Sequence, residues 1–350
     1  MARGKIRVLI VDDSALVRRI LSEALSRDSH IEVVGTAPDP YVAKDKINQL
    51  KPDVLTLDVE MPRMHGLAFL KILLEQRPMP VVMVSSLTEQ GADVTLQALE
   101  LGAVDFVTKP KIDVSAGMQD LMPLLVEKIR VAAMCKVARR AANTASAEAP
   151  PEALPRLGTT THQIFAIGAS TGGTEALRSV LGQLPADSPG TLIVQHMPAS
   201  FTKAFAQRCN AHSALEISEA RDGDRVQPGR ALIAPGGRHM RLVRVGAEYT
   251  VRVELTEPVN RHRPSVDVLF DSVAEAAGKN AVGAILTGMG DDGARGLLKM
   301  RGAGAHTIAQ DRESCVVFGM PREAIALQAA CEVLPLGRIP QAALAQFATR

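Results

Sequence analysis

Short apolar runs alternate with longer amphipathic runs along most of this chain. In the first 130 residues the apolar runs include IRVLIV at 6–11, VLTLD at 54–58 and VVMVSS at 81–86, and helical patterns such as VRRILSEAL lie between them. Strands that are apolar throughout are buried on both faces, which is typical of a parallel sheet covered by helices on both sides. The pattern predicts about five strands and five helices in one doubly wound α/β domain.

The same rhythm returns after an interruption at residues 136–160, which are rich in Ala, Pro, Ser and Thr and have no sustained period. This stretch predicts an interdomain linker. Strand-like runs then resume with QIFAIGAS, TLIVQHM, ALIAP, AVGAILTG and HTIAQD, and alternation around Gly246 predicts a β-hairpin. At 350 residues the chain exceeds one typical domain. We therefore expect two doubly wound parallel-sheet domains, at residues 1–135 and 161–350.

Charge, cysteine content and apolar run length exclude several classes of protein. A formal net charge of +2 offers no broad attraction to nucleic acid or to anionic membranes. The four cysteines form no CxxC pair, so neither a disulfide framework nor a zinc site is predicted. No apolar run reaches the roughly 18 residues that span a bilayer, and the first run is too short for a signal peptide. We expect a cytoplasmic protein that does not insert into the membrane.

Five polar residues fall at the ends of predicted strands in the first domain: Asp12, Asp13, Asp58, Ser85 and Lys109. Because the carboxyl ends of parallel strands lie at one edge of a sheet, we expect these side chains to converge. Carboxylates crowded in this way favour a hard divalent cation such as Mg²⁺. Asp58 could then attack phosphorus, and Ser85 and Lys109 could contact the phosphoryl oxygens.

Four motifs of the first domain resemble the receiver domains of response regulators: VDDS at 11–14, LDVEMPRMHG at 57–66, VSS at 84–86 and FVTKP at 106–110. The resemblance implies a flavodoxin-like fold, Mg²⁺ binding by Asp12, Asp13 and Asp58, and phosphorylation of Asp58. His65 stands where the family often has Asp, which affects only the local loop. Phe106 occupies the position of an aromatic side chain that often changes rotamer in the family, and ordinary core packing is an equal alternative.

A candidate nucleophile lies in the second domain, where Gly168-Ala-Ser170-Thr-Gly172-Gly173 follows the strand IFAI and precedes a helical pattern. A Ser at a tight strand-to-helix turn can attack a carbonyl while N–H groups at the helix start bind an oxyanion. A glycine-rich turn or a phosphate cradle would give the same pattern. A Walker P-loop is excluded because no Gly-Lys-Ser/Thr follows.

The base and acid that a nucleophilic Ser requires are also available at strand ends. His196 ends the run TLIVQH, and Asp291 and Asp292 follow AVGAILTG. The chain order Ser, His, Asp differs from the Ser, Asp, His order of α/β-hydrolases, so a different fold would carry the same chemistry. His239 and His262 could compete as the base, and the residues themselves do not choose between the two adjacent aspartates.

Two other classes of function are weakly supported. Residues 288–293 satisfy the GxGxxG pattern of dinucleotide-binding proteins, with Asp311 about 20 residues further on. The two aspartates inside that pattern would repel a pyrophosphate, which disfavours a nicotinamide enzyme. A regulator that binds nucleic acid would need a helix-turn-helix or a basic stripe, and only the pair Arg139 and Arg140 offers clustered charge.

The second domain, from about residue 161 to the C-terminus, resembles the catalytic domain of chemotaxis protein-glutamate methylesterases. The motifs are IGASTGG at 167–173, VQHMP at 194–198, APGGRHM at 234–240, HRPSVDVLF at 262–270 and LTGMGDDGA at 286–294. The resemblance implies a three-layer α/β domain with a catalytic triad of Ser170, His196 and Asp292. It also implies oxyanion contacts from the backbone around Thr171 and Met289.

The two resemblances together imply a phosphorylation-activated esterase. Its substrates would be glutamate γ-methyl esters on the cytoplasmic helices of methyl-accepting chemotaxis receptors, with deamidation of receptor glutamines as a second activity. A chemotaxis sensor histidine kinase would be the phosphodonor, and recruitment to receptor arrays would follow from the substrate. The receiver domain would need Mg²⁺, whereas the ester chemistry would need no cofactor. Within HRPSVDVLF, Ser265 is predicted to cap a helix.

Overall fold

The computed structural model describes residues 4–85, 88–109, 114–135 and 162–348. The chain divides into two compact units, Met1–Ser146 and Ala147–Arg350. The linker predicted at residues 136–160, with Arg139 and Arg140 inside it, lies outside the described residues. In the part of the chain that the structure describes, no helix is both long enough and apolar enough to cross a membrane.

The first unit contains one five-stranded parallel sheet flanked by helices. Its elements are β1 (Ile6–Val11), α1 (Ala15–Leu25), β2 (Ile31–Ala37), α2 (Pro40–Leu50), β3 (Val54–Asp58), α3 (Gly66–Gln76), β4 (Val81–Ser85), α4 (Glu89–Leu101), β5 (Asp105–Thr108) and α5 (Val114–Ala132). The strand order is β2-β1-β3-β4-β5, and every neighbouring pair is parallel. The predicted doubly wound domain is therefore confirmed.

Local sequence explains how these elements form. Ser14 caps α1 by accepting a hydrogen bond from Val17 N, and α1 buries Val17, Leu21 and Leu25 along one stripe. Strands β3 and β4 are buried at every residue, as their uninterrupted apolar runs predict. The polar residues that end or follow β1, β3, β4 and β5 consequently lie along one edge of the sheet.

The second unit is built on a seven-stranded parallel sheet. Its elements are β6 (Ile164–Ala169), α6 (Gly173–Leu181), β7 (Gly190–Gln195), α7 (Ala199–Ala211), β8 (Glu216–Glu219), β9 (Arg230–Ile233), β10 (His239–Val245), β11 (Glu248–Glu254), α8 (Val266–Ala276), β12 (Ala281–Ile285), α9 (Ala294–Gly302), β13 (His306–Gln310), α10 (Met320–Ala326), β14 (Glu332–Leu334) and α11 (Ile339–Ala348). The order is β14-β13-β12-β6-β7-β9-β8. Sequence reasoning missed β8 and β14 because these edge strands have only four and three residues and carry little apolar signal.

The hairpin predicted around Gly246 forms a separate two-stranded sheet of β10 and β11. Gly246 has a φ of 62°, in the left-handed region that glycine adopts readily. The hairpin packs on α8, where the Leu242 N–H donates a hydrogen bond to Ser272 Oγ. It lies outside the seven-stranded sheet and covers one side of the helix that begins at the candidate active site.

The strand order places the candidate catalytic segments side by side. Strand β6 lies between β12 and β7, so the chain winds in one direction from β6 to β7 and returns on the other side of β6 at β12. Such a switch point opens a crevice at the carboxyl ends of the strands. The segments that follow β6, β7 and β12 carry Ser170, His196 and residues 286–293 into this crevice.

Close contact between β6 and α8 gives the first testable prediction. A Cβ atom at Gly168 would lie 2.2 Å from Val266 Cγ1, whereas a Cβ at Gly302, at the end of α9, would have open space. We expect Gly168→Ala to lower the free energy of unfolding by about 1–3 kcal/mol. Gly302→Ala should leave it unchanged or raise it slightly. Urea unfolding of both proteins checks this, and equal stability of the two variants would contradict the predicted overpacking.

Candidate active site

Ser170 lies in the tight turn between β6 and α6. Its N–H donates a hydrogen bond of 3.0 Å to Thr287 O, which ties the turn to the segment after β12. Gly172 has a φ of 76°, and a Cβ atom there would lie 2.5 Å from Val316 Cβ. At Gly173 a Cβ atom would approach the Gln195 side chain to 2.2 Å. The turn therefore favours glycine at position 172 for backbone conformation and space, and at position 173 for space.

His196 follows β7 and contacts both other members of the predicted triad. Its Nδ1 lies 3.1 Å from Ser170 Oγ, and its Nε2 lies 2.8 Å from Asp292 Oδ2. The side chain is only 7% exposed. Because an ionised carboxylate can only accept a hydrogen bond, Nε2 carries the proton and Nδ1 is left to accept the Ser170 hydroxyl proton. The three side chains thus form a continuous hydrogen-bonded chain.

Asp292, and not its neighbour Asp291, reaches His196. Asp292 is 1% exposed, while Asp291 is exposed to solvent. The carboxylate of Asp292 also accepts hydrogen bonds from Asn260 Nδ2 at 2.6 Å, Ser265 Oγ at 2.7 Å, Val266 N at 2.6 Å and Asp267 N at 3.3 Å. Burial alone would raise the pKa of Asp292, but the hydrogen bonds from His196, Asn260 and Ser265 hold that pKa well below its usual range. The carboxylate is therefore anionic at neutral pH.

The two rival histidines have other contacts. His239 is buried, its Nε2 lies 3.0 Å from Glu257 O, and its Nδ1 accepts a hydrogen bond from Ser265 N. Burial lowers the pKa of His239, which keeps the ring neutral in this role. His262 lies face to face on His196, with ring centres 3.7 Å apart and planes 9° apart. The geometry thus favours His196 as the base and makes His262 a neighbour that packs on it.

Sequence reasoning missed two residues that contact members of the predicted triad. Gln195 Nε2 donates hydrogen bonds to the backbone oxygens of Ser170 at 2.9 Å and His196 at 3.3 Å. Asn260 contacts the Asp292 carboxylate, as described above. Gln195 carried a usable signal, because it is a large polar residue directly after the apolar run LIV of a buried strand. Asn260 lies in a loop and carried none. Ser265 caps α8 as predicted, and it also contacts Asp292.

The predicted oxyanion contacts are the backbone N–H groups of Thr171 and Met289. The Ser170 N–H is already committed to Thr287 O. The segment after β12 runs beside the nucleophile, since a Cβ atom at Gly288 would lie 2.8 Å from Ser170 Cβ. Residues 171 and 289 each adjoin one of these two closely packed positions, and their role in oxyanion binding stays a prediction.

The loop at residues 288–293 has a different use from the dinucleotide fingerprint that its glycines suggest. Gly290 and Gly293 adopt φ values of 85° and 90°, and the loop between them directs Asp292 to His196. The acidic residue downstream, Asp311, accepts hydrogen bonds from Ser314 N and Ser314 Oγ in a local turn. The carboxylate of Asp292 thus lies in the turn that would have to receive a pyrophosphate in a dinucleotide-binding protein.

A second acidic site lies at the sheet edge of the first unit. Asp12 and Asp58 are buried and Asp13 is exposed, and their carboxylate oxygens lie within 4.8 Å of one another. Lys109 Nζ lies 2.8 Å from oxygens of both Asp12 and Asp58. Burial raises the pKa of Asp58 to about 6, against the opposing effect of Lys109. Three hard oxygen donors of this kind suit Mg²⁺.

The other two predicted residues of this pocket have contacts of a different kind. Ser85 lies at the end of β4, but its Oγ is 2.6 Å from Thr95 Oγ1 and 3.3 Å from Gly91 O, both on α4. To donate to a phosphoryl oxygen, Ser85 would have to give up its hydrogen bond to Gly91 O. Phe106 is buried, and Lys128 Nζ lies 5.6 Å from its ring centre. In this structure Phe106 is packed in the core.

Comparisons with known proteins cover both units. The CheB methylesterase family profile matches residues 165–343, and the response regulator receiver domain profile matches residues 8–117. A protein-glutamate methylesterase/protein-glutamine glutaminase of Geobacter metallireducens is 58% identical over 349 residues, covering 97% of this chain and 96% of the relative. One from Cupriavidus metallidurans is 56% identical, covering 100% and 98%. The solved catalytic domain of Thermotoga maritima CheB methylesterase is 40% identical, covers 52% of this chain and 97% of its own, and superposes with a TM-score of 0.51.

The ion pairs of Lys109 generate a prediction for the acidic pocket. Lys109→Ala removes the ammonium group that contacts two buried carboxylates, so the free energy of unfolding should fall by about 1–3 kcal/mol without divalent cations. Millimolar Mg²⁺ should restore much of this loss, because the cation balances the same carboxylates. Thermal unfolding with and without Mg²⁺ measures both effects. The control is Lys71→Ala, at an exposed lysine of α3, and an equal response of the two variants would refute the prediction.

Proposed function

The chain belongs to the family of CheB methylesterases that carry a receiver domain, and we propose that Ser170, His196 and Asp292 hydrolyse glutamate γ-methyl esters on chemotaxis receptors. The protein is a carboxylic-ester hydrolase with glutaminase activity, regulated by phosphorylation in chemotaxis. The observation that carries the assignment of the site is the unbroken hydrogen-bonded chain from Ser170 Oγ through His196 to Asp292.

In the first half of the reaction, Ser170 Oγ attacks the ester carbonyl carbon while His196 Nδ1 takes the hydroxyl proton. Asp292 keeps the ring in the required tautomer and stabilises the imidazolium ion. The N–H groups of Thr171 and Met289 bind the oxyanion of the tetrahedral intermediate. The bond to the methoxy group then breaks, and methanol leaves with the proton from Nδ1.

In the second half, water attacks the acyl-enzyme and gives up a proton to His196 Nδ1. The bond to Ser170 Oγ breaks, the serine regains its proton, and a free glutamate remains on the receptor. A glutamine side chain presents the same carbonyl with ammonia as the leaving group, so the same residues deamidate it. The His196 ring is poised for both halves because it stays bonded to Asp292 throughout.

The receiver unit supplies the control. A kinase phosphodonor transfers a phosphoryl group to Asp58, and we assign the donor to a chemotaxis sensor histidine kinase. Asp12, Asp13 and Asp58 would hold Mg²⁺, which when bound offsets the negative charge of the phosphoryl oxygens. Lys109 Nζ already contacts the Asp58 carboxylate, so it can also contact a phosphoryl group that Asp58 carries. Ser85 would exchange the hydrogen bond that it donates to Gly91 O for one to a phosphoryl oxygen.

The adjacent aspartates provide a matched test of the catalytic assignment. Asp292→Asn should lower kcat by about 10³- to 10⁴-fold, because an amide stabilises the wrong tautomer of His196. Asp291→Asn, the same change one residue away at an exposed site, should have little effect. Ser170→Ala and His196→Ala should abolish turnover. Methanol release from methylated receptor membranes is the measurement, and a more damaging Asp291→Asn variant would reverse the assignment.

Phosphorylation control rests on Asp58. Asp58→Asn removes the oxygen nucleophile, so this protein should stay at its basal esterase activity when a phosphodonor and Mg²⁺ are added, while the wild type is stimulated. Asp53→Asn, the same change in the same unit at a residue that accepts a hydrogen bond from Arg7 N, is the control. Stimulation of the Asp58→Asn protein to the wild-type level would place the phosphorylation site elsewhere.

A further inference from the structure

The turn between Val259 and His262 directs an amide side chain into the active site. The backbones of Val259 and His262 exchange two hydrogen bonds, of 3.1 and 2.8 Å. Between them, Asn260 and Arg261 have φ values of 51° and 67°. Asparagine tolerates this left-handed conformation better than most residues with a side chain. The turn also brings His262 onto the face of His196.

The side-chain nitrogen of Asn260 bridges two buried carboxylates. Asn260 Nδ2 lies 2.6 Å from Asp292 Oδ1 and 2.7 Å from Asp267 Oδ2. Asp292 is 1% exposed and Asp267 is 8% exposed. An amide nitrogen has two protons and no lone pair to offer, so both protons are used. The opposite orientation of the amide would turn its carbonyl oxygen toward two acceptors, which would repel it.

We propose that Asn260 is a positioning residue of the esterase. Asn260 keeps the Asp292 carboxylate oriented toward His196 and is itself held by Asp267. The inference rests on the proposed assignment of Ser170, His196 and Asp292 as the triad. Asn260 and Ser265 both donate to Oδ1 of Asp292, which leaves Oδ2 to receive the His196 Nε2–H. Together these contacts fix the rotation of the carboxylate.

Asp267 completes the arrangement from α8. Its Oδ1 accepts a hydrogen bond of 2.6 Å from Gly296 N, so the oxygen that faces Asn260 is Oδ2. Burial, together with the charge of Asp292, raises the pKa of Asp267. A buried acid next to a second acid is costly, and the hydrogen bonds to Asn260 and Gly296 N oppose that cost. Because a carboxylate only accepts hydrogen bonds, Asp267 also sets which end of the Asn260 amide faces the triad.

A purely structural role is the competing interpretation. Asp267 lies in the first turn of α8, where an acidic residue stabilises a helix without any catalytic part. Asn260 could then simply tie the turn to that helix. In the structural role, the Asp292 carboxylate needs only the tie between the turn and α8. In the positioning role, it needs the N–H group of Asn260 itself. Kinetic constants, measured beside stability, distinguish the two roles.

The first experiment compares Asn260→Ala with Asn210→Ala in the full chain. Asn210 also uses its side chain in one hydrogen bond, from Ile217 N, but lies at the end of α7. For Asn260→Ala we expect kcat for ester hydrolysis to fall by about a hundredfold, as for a small misplacement of a catalytic group. KM should change by less than about threefold, because the residue does not contact the substrate. Labelling of Ser170 by a phosphonyl fluoride should slow in parallel.

The second experiment exchanges the two side chains, as Asn260→Asp combined with Asp267→Asn. The total charge is unchanged, and the amide introduced on α8 can donate to the carboxylate introduced in the turn, so the tie between the turn and α8 is preserved. Asp292 Oδ1, however, now faces a carboxylate in place of an N–H group. A structural role predicts that kcat returns to the wild-type level, whereas the positioning role predicts that kcat stays at or below that of Asn260→Ala.

The outcomes distinguish this inference from the proposed function. Turnover that depends on Ser170 but is as fast in Asn260→Ala as in Asn210→Ala would overturn the inference and leave the triad standing. Restored kcat in the exchanged protein would also overturn it. Wild-type turnover that survives Ser170→Ala would remove the triad assignment and the inference with it. Loss of kcat at constant KM in Asn260→Ala, with slowed labelling of Ser170, supports the proposal.

Discussion

The anionic carboxylate of Asp292 is the constraint on which the second unit's site depends. A charge that is 1% exposed is stable only if its hydrogen bonds replace the water it has lost. Donors come from His196, from the turn at Asn260 and from the start of α8, so three separate segments must meet at one carboxylate. The parallel sheet brings His196 and Asp292 together at the ends of β7 and β12, whereas the turn at Asn260 and the start of α8 reach the same carboxylate from the separate β10–β11 hairpin.

The two acidic sites of the protein stabilise a buried negative charge in different ways. Around Asp58 the buried negative charge is balanced by Lys109, and the pKa of Asp58 is still raised to about 6. Around Asp292, hydrogen bonds from neutral donors and from the His196 imidazole stabilise the negative charge, and the pKa of Asp292 is held low. The first arrangement suits the cation and phosphoryl binding proposed for Asp58. The second keeps a fixed anion next to the imidazole that is proposed to act as the base.

Sequence patterns predicted the fold and much of the candidate site because both follow from short-range features. Buried parallel strands are readable as uninterrupted apolar runs, and Ser170 and His196 stand directly at strand ends. The edge strands β8 and β14 were missed because short strands with one open edge need few apolar residues. Asn260 could not be found in the same way, since its contact with Asp292 spans 32 residues and depends on how the 259–262 turn folds. Between Asp291 and Asp292, only resemblance decided, and the structure shows that burial separates them.

The glycines that follow Ser170 have a consequence for how such a site can change. A side chain at Gly172 would collide with Val316, and one at Gly173 would collide with Gln195. The turn after Ser170 therefore has no space for a larger residue at either position. Val316, the residue that a side chain at position 172 would meet, is itself 44% exposed. Any larger residue at position 172 or 173 would therefore require a compensating change at the residue that it meets. The shape of the turn after Ser170 thus depends on Val316 and Gln195, two residues that are distant from it along the chain.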